Sequence, residues 1–206
     1  MDVQDLGLAS QVIVAVLSVF CVRKHTSSFY LFFCFYLIVV LITEFYGAHN
    51  TINYNKGLPV FNHLPLAAFL QFNLIALMYV QLIKDKKWIK IILILSVLLS
   101  VFCFYTYFKY KLFTYLLIFG CLNTSLFSFL YLRELLISDK ILNYKKHLPF
   151  WISVGFLVFY LSSIPFFLKM PFMQGRGLFF LIELLIIVMN LFIIYGLLCS
   201  RKEVKY

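Results

Sequence analysis

The stretch LFFLIELLIIVMNLFIIYGLLC, Leu178 to Cys199, decides what kind of molecule this is. It is apolar on every face and carries one charged side chain, Glu183. At 1.5 Å of rise per residue it is long enough to cross the roughly 30 Å hydrocarbon layer of a bilayer. A helix of a water-soluble domain would alternate an apolar stripe with a polar face, and this one does not. The stretch therefore reads as a transmembrane helix. A carboxylate within it is costly in lipid unless it faces other helices or a wet cavity, which makes Glu183 the first functional clue in the chain.

Working outward, 64% of the residues are hydrophobic and 13% are charged, against about a quarter charged in soluble domains. The 25 Phe and 14 Tyr suit lipid-facing surfaces and the two membrane interfaces. Six further runs match the first: Leu6 to Val22, Phe29 to Ala48, Leu64 to Ile83, Ile89 to Phe108, Phe113 to Ile137 and Phe150 to Leu168. The connectors are too short to hide a soluble domain, and no internal repeat relates the first three spans to the last three. The N-terminus, MDVQD, is acidic where a secretory signal is basic, so the first span is expected to be retained.

The net charge of +10 is not a nucleic-acid signal, because the bases cluster in alternate connectors instead of along one face. Thirteen of the 18 Lys and Arg fall on one side, from Arg23 and Lys24 through Lys84 to Lys90 and Arg133 to Lys146 to Arg201, Lys202 and Lys205. Basic residues in short loops prefer the cytoplasm. The predicted fold is thus all-α: one domain over residues 1–206, a polytopic bundle of seven transmembrane helices. Its N-terminus lies outside, its C-terminus is cytoplasmic, and its location is the inner (cytoplasmic) membrane.

Polar residues inside the spans define the candidate site. By helical rise, Glu183 and Glu44 lie within about 8 Å of the outer end, and Ser162 and Ser163 fall near that level. Gln71, Asn73 and Asn123 lie closer to the middle, and Asn190, seven residues after Glu183, shares its face. Together with His49 at the outer end of span 2, these residues predict a ligand-binding pocket open to the outside and closed before the cytoplasm. Pro165 is expected to kink span 6 and free the carbonyl of Leu161 toward it. The plainer reading is that the amides and hydroxyls join helices through hydrogen bonds of about 0.6 kcal/mol each. If Glu44, His49 and Glu183 converge they could hold a cation, although their spacing demands no metal site.

On the basic side, SDKILNYKKHLPFW, Ser138 to Trp151, is a candidate docking surface for a cytoplasmic or membrane signalling partner, through Lys140, Asn143, Lys145 and Lys146. Its plainer reading is an anchor to anionic headgroups. The same segment, continued through ISVGFLVFYLSSIPFF, resembles a group of uncharacterised bacterial seven-helix membrane proteins. Those carry Leu-Asn-x-Lys-Lys before a Phe-Trp-Ile-Ser-x-Gly span that ends near Pro-Phe. The resemblance implies a place beside sensor kinases, hence signalling, and implies no activity.

Other classes lose ground on particular residues. Span 7 holds no Lys for a retinal Schiff base, and no His lies inside a span to build a membrane hydrolase. The chain has no phosphate-cradling loop, nucleophile elbow or HExxH helix, and the five Cys lack zinc-ligand spacing. The expected function is a membrane sensor or signalling accessory with an outward polar pocket, without enzymatic activity or cofactor. A small-solute or ion carrier using the same pocket is the alternative, and a lipid-modifying enzyme a third.

Overall fold

The computed structural model describes residues 3–22, 27–109, 112–138, 146–173 and 178–200. Seven helices account for nearly all of them: α1 (Val3–Cys21), α2 (Ser28–Asn55), α3 (Leu64–Leu82), α4 (Lys86–Phe108), α5 (Phe113–Ile137), α6 (Leu148–Lys169) and α7 (Phe179–Cys199). From α2 to α7, six helices are long and apolar enough to cross a membrane, and α1 is apolar over a shorter length, Asp5–Cys21. The chain is a multi-pass membrane bundle.

Local chemistry sets the helix ends. The Ser27 hydroxyl accepts from the Tyr30 backbone N–H at the start of α2, and the Asp85 carboxylate accepts from that of Lys87 at the start of α4, each satisfying a donor that has no partner within its helix. Pro65 and Pro149 occupy the first turns of α3 and α6, where a missing N–H costs nothing. Beyond the expected end at Ala48, α2 continues to Asn55. Its 28 residues span about 42 Å, so its last turns project past a hydrocarbon layer of about 30 Å. It stops at Gly57, whose φ of 69° suits glycine. There the Leu58 N–H reaches the Asn53 carbonyl at 2.9 Å and the Gly57 N–H reaches that of Tyr54 at 3.0 Å, which closes the helix.

Helices α1, α2, α3, α5, α6 and α7 form a ring, closed where α7 packs on α1, and α4 lies outside it against α3 and α5. At the end rich in Lys and Arg, the Cys21 thiol donates to the Leu197 carbonyl at 3.9 Å, Tyr30 donates to the carbonyl of Ser18, and the Glu134 carboxylate accepts from the Lys84 backbone N–H at 3.0 Å. Arg133 lies over the Trp88 ring, 5.9 Å from its centroid. Glycines set the tightest helix crossings: Gly196 against Trp151 and Leu148, Gly155 against Met189, and Gly120 against the Phe72 ring. Close approach of this kind drives association where lipid removes the hydrophobic incentive.

The core is a layer across the middle of the ring. Val14, Phe33, Ile75, Phe156 and Ile193, each from a different helix, are fully buried. At its heart Tyr79 shares a 2.7 Å hydrogen bond with the Ser128 hydroxyl and donates to that of Ser153 at 3.0 Å, tying α3 to α5 and α6. The outward faces carry bare apolar side chains, among them Phe20, Phe104, Phe129 and Leu198.

Candidate functional site: a polar cavity inside the ring

On the side of this layer away from the basic end, the six ring helices enclose a cavity of about 200 Å³. Its polar lining is Gln11 from α1, Tyr36, Thr43 and Glu44 from α2, Gln71 from α3 and Tyr160 from α6. Phe72, Phe113, Phe159 and Phe167 supply aromatic walls, Cys121 of α5 faces in, and α7 contributes Ile186 and Met189. The cavity reaches the first turns of α3 and α5 at Leu64 and Phe113, so it belongs to the end opposite the basic one.

Most of this polarity is engaged. The hydroxyls of Tyr36 and Tyr160 share a hydrogen bond at 3.2 Å, closing the inner end of the cavity between α2 and α6. Thr43 donates to the Val39 carbonyl at 2.7 Å and accepts from the Gln71 amide at 3.4 Å. Gln11 is different: its side chain is 8% exposed and its Oε1 has no hydrogen-bond partner. A buried amide oxygen left unpaired costs about 1–3 kcal/mol.

The helical spacing of α1 explains how Gln11 arrives there. Gly7, Gln11, Val14 and Ser18 lie three or four residues apart on one buried face, directed inward between α2 and α7. One turn above Gln11, Gly7 meets the carboxylate of Glu183, with no room for a Cβ between them. Glu183 is half-buried there. Across α1, Glu44 lines the cavity from an exposed position. The two carboxylates thus flank the start of α1 on the same side of the bundle.

The other residues singled out in the sequence take different places. Asn73 faces away from the cavity: its carbonyl accepts from Ser96 at 2.6 Å and its amide donates to Ser100 at 3.1 Å, fastening α4 to α3. Asn190 donates to Ser10 at 2.8 Å and Ser10 donates to the Gly7 carbonyl at 2.7 Å, joining α7 to α1 just beside the site. Ser163 is buried and donates to the Phe159 carbonyl of its own helix at 2.6 Å, whereas Ser162 is exposed. Asn123 is buried in α5 with an unpartnered Nδ2, outside the cavity lining. Pro165 lies within an unbroken α6, and both it and Leu161 are exposed on the outward face.

His49 is exposed on the protruding end of α2 and does not join the cavity. The next residue, Asn50, instead ties down the loop after α2: its amide donates to the Phe61 carbonyl at 2.9 Å and approaches the His63 ring at 3.1 Å. Among the described residues no three His, Cys, Asp or Glu side chains come together as a metal site. Lys140, Asn143 and Lys145 lie outside the described residues, and Lys146 is exposed just before α6.

Gln11, Tyr36, Thr43 and Tyr160 were not among the sequence candidates. Gln11 carries the same signal as Gln71, an amide within an apolar run. The tyrosines gave none, since a Tyr in a membrane span reads first as an interfacial ring. Fold and site together define a multi-pass helical membrane bundle with a partly open polar cavity. Comparison with protein-family models, with curated proteins and with solved structures finds no match.

Proposed function

We propose that the chain is a membrane receptor, a sensor or signalling accessory, that binds a small solute in the ring cavity and converts its presence into a change of helix packing. The observation that carries this reading is the arrangement along the ring axis. A cavity with an unsatisfied amide, Gln11, and an exposed carboxylate, Glu44, lies above a layer of fully buried apolar side chains.

In this reading the basic end is cytoplasmic, since short basic loops are retained there, all seven helices span the bacterial inner membrane, and the cavity faces outward. Six helices contribute to the lining, so an occupant that prefers one of two ring packings shifts the population between them by its difference in affinity. The Ser138 to Trp151 segment, with Lys146 at its described end, is where a signalling partner would read the change. The resemblance of that segment to proteins beside sensor kinases supports a signalling role.

Affinity purification of the full chain from its native membrane in mild detergent tests this. Co-purification of a sensor kinase is the expected result. A carrier would instead take up solute in proteoliposomes and lose that uptake on Glu183→Gln, and such a finding would overturn the receptor reading.

A further inference from the structure

The occupant's chemical class can be read from the cavity itself, an inference that rests on the binding role proposed above. We propose that the cavity takes a small primary or secondary alkylammonium ion. Among the described residues, no Lys, Arg or His lines it. Glu44 lines it from an exposed position, and Glu183 packs against Gly7 of α1, one turn from Gln11. A cleft with low-dielectric walls and one sign of charge concentrates the opposite ion.

Inside, the buried group that lacks a partner is an acceptor, Oε1 of Gln11, whereas Thr43 and Gln71 already spend donors on one another and on backbone. An occupant with N–H donors completes this oxygen once the Gln11 amide turns it toward the cavity. Aromatic rings, Phe72, Phe159 and Tyr160 among them, line the walls, and a ring attracts a cation placed over its face. Size limits the ion. At about 30 Å³ per water, the 200 Å³ cavity holds the equivalent of roughly six waters, which suits a chain of a few carbons and one nitrogen.

Cys121 lines the cavity and is a free thiol, so it reports on what enters. In a full-length protein with Cys21, Cys34, Cys103 and Cys199 replaced by serine, Cys121 is treated with methanethiosulfonates bearing an aminoethyl, a trimethylammonioethyl or a sulfonatoethyl group. Each rate is divided by the same reagent's rate on a free thiol in solution. The expected result is aminoethyl labelling faster than sulfonatoethyl labelling by about tenfold or more, the low end of focusing by a like-charged cleft. Glu44→Gln shrinks that ratio toward one. Butylammonium protects Cys121 better than tetramethylammonium, and Gln11→Leu removes the difference.

Equal or reversed charge preference, in a cysteine that both reagents reach, overturns the cation while leaving a solute-binding cavity. Equal protection by the quaternary ion overturns the requirement for N–H donors. A Cys121 that no reagent reaches in the folded protein but all reach after denaturation removes the cavity as a binding site, and the receptor reading with it. A second measurement on the chain with its own cysteines, thermal unfolding in detergent, is expected to rise with butylammonium and not with butyrate; a rise with butyrate alone contradicts the proposal.

Discussion

A single absent methyl group matters at both Gly196 and Gly7, and its consequences differ with the rigidity of what faces it. At Gly196 a Cβ would meet the Cβ of Trp151, an atom fixed by the α6 backbone, and Leu148 beyond it. At Gly7 it would meet the carboxylate of Glu183, the far end of a flexible side chain. Alanine is the better helix former by about 1 kcal/mol, so packing decides the sign. Gly196→Ala is expected to destabilise by about 1–3 kcal/mol through overpacking, read as a lower melting temperature in detergent, whereas Gly7→Ala leaves melting nearly unchanged. Equal losses at the two sites would mean that α1 and α7 are held as rigidly at their starts as α6 and α7 are at the basic end. The same scale shows what sequence reading reached in the site. Glu44 and Gln71 were legible as costly polar groups in apolar runs, and both line the cavity. Asn73 has the same signature yet bonds Ser96 and Ser100, because which face of a helix looks inward depends on which neighbour lies outside the ring.

Among the elements, α2 departs most from expectation. Hydropathy measures the part of a helix that lies in hydrocarbon, and it ended this one at Ala48; the backbone continues through His49, Asn50, Thr51 and Asn53 to Asn55 because no residue in that polar stretch breaks a helix. Gly57 then ends it with a positive φ, and Asn50 ties the returning strand of chain at Phe61 and His63. Replacing Gly57 with alanine forces an L side chain into left-handed geometry at a cost of about 1–2 kcal/mol. The expected outcome is earlier protease cleavage in the connector at residues 58–63, with the melting of the bundle unchanged. Loss of global stability instead would show that the connector is integral to the ring. The remaining helices followed their apolar runs closely, since the hydrocarbon thickness and backbone satisfaction that shaped the sequence also shape the helices.

For the whole molecule, the ring separates two regions of different chemistry. Above the layer of Val14, Phe33, Ile75, Phe156 and Ile193 lies a polar cavity; within the layer Tyr79 is bonded to Ser128 and Ser153. The position of α4 outside the ring was not legible, because its apolar run is as continuous as the others and nothing in it distinguishes a helix facing lipid on most sides from one in the ring. The same division yields the most direct test. In a cysteine-free background, Gln71→Cys and Ser153→Cys are each exposed, in intact cells and in inverted membrane vesicles, to a membrane-impermeant charged thiol reagent. The account predicts that Gln71→Cys is labelled from the cell exterior and that Ser153→Cys is labelled from neither side. Labelling of Ser153→Cys, or a Gln71→Cys that reacts only in inverted vesicles, would contradict a cavity that opens outward and ends at the Tyr36–Tyr160 pair above the buried layer.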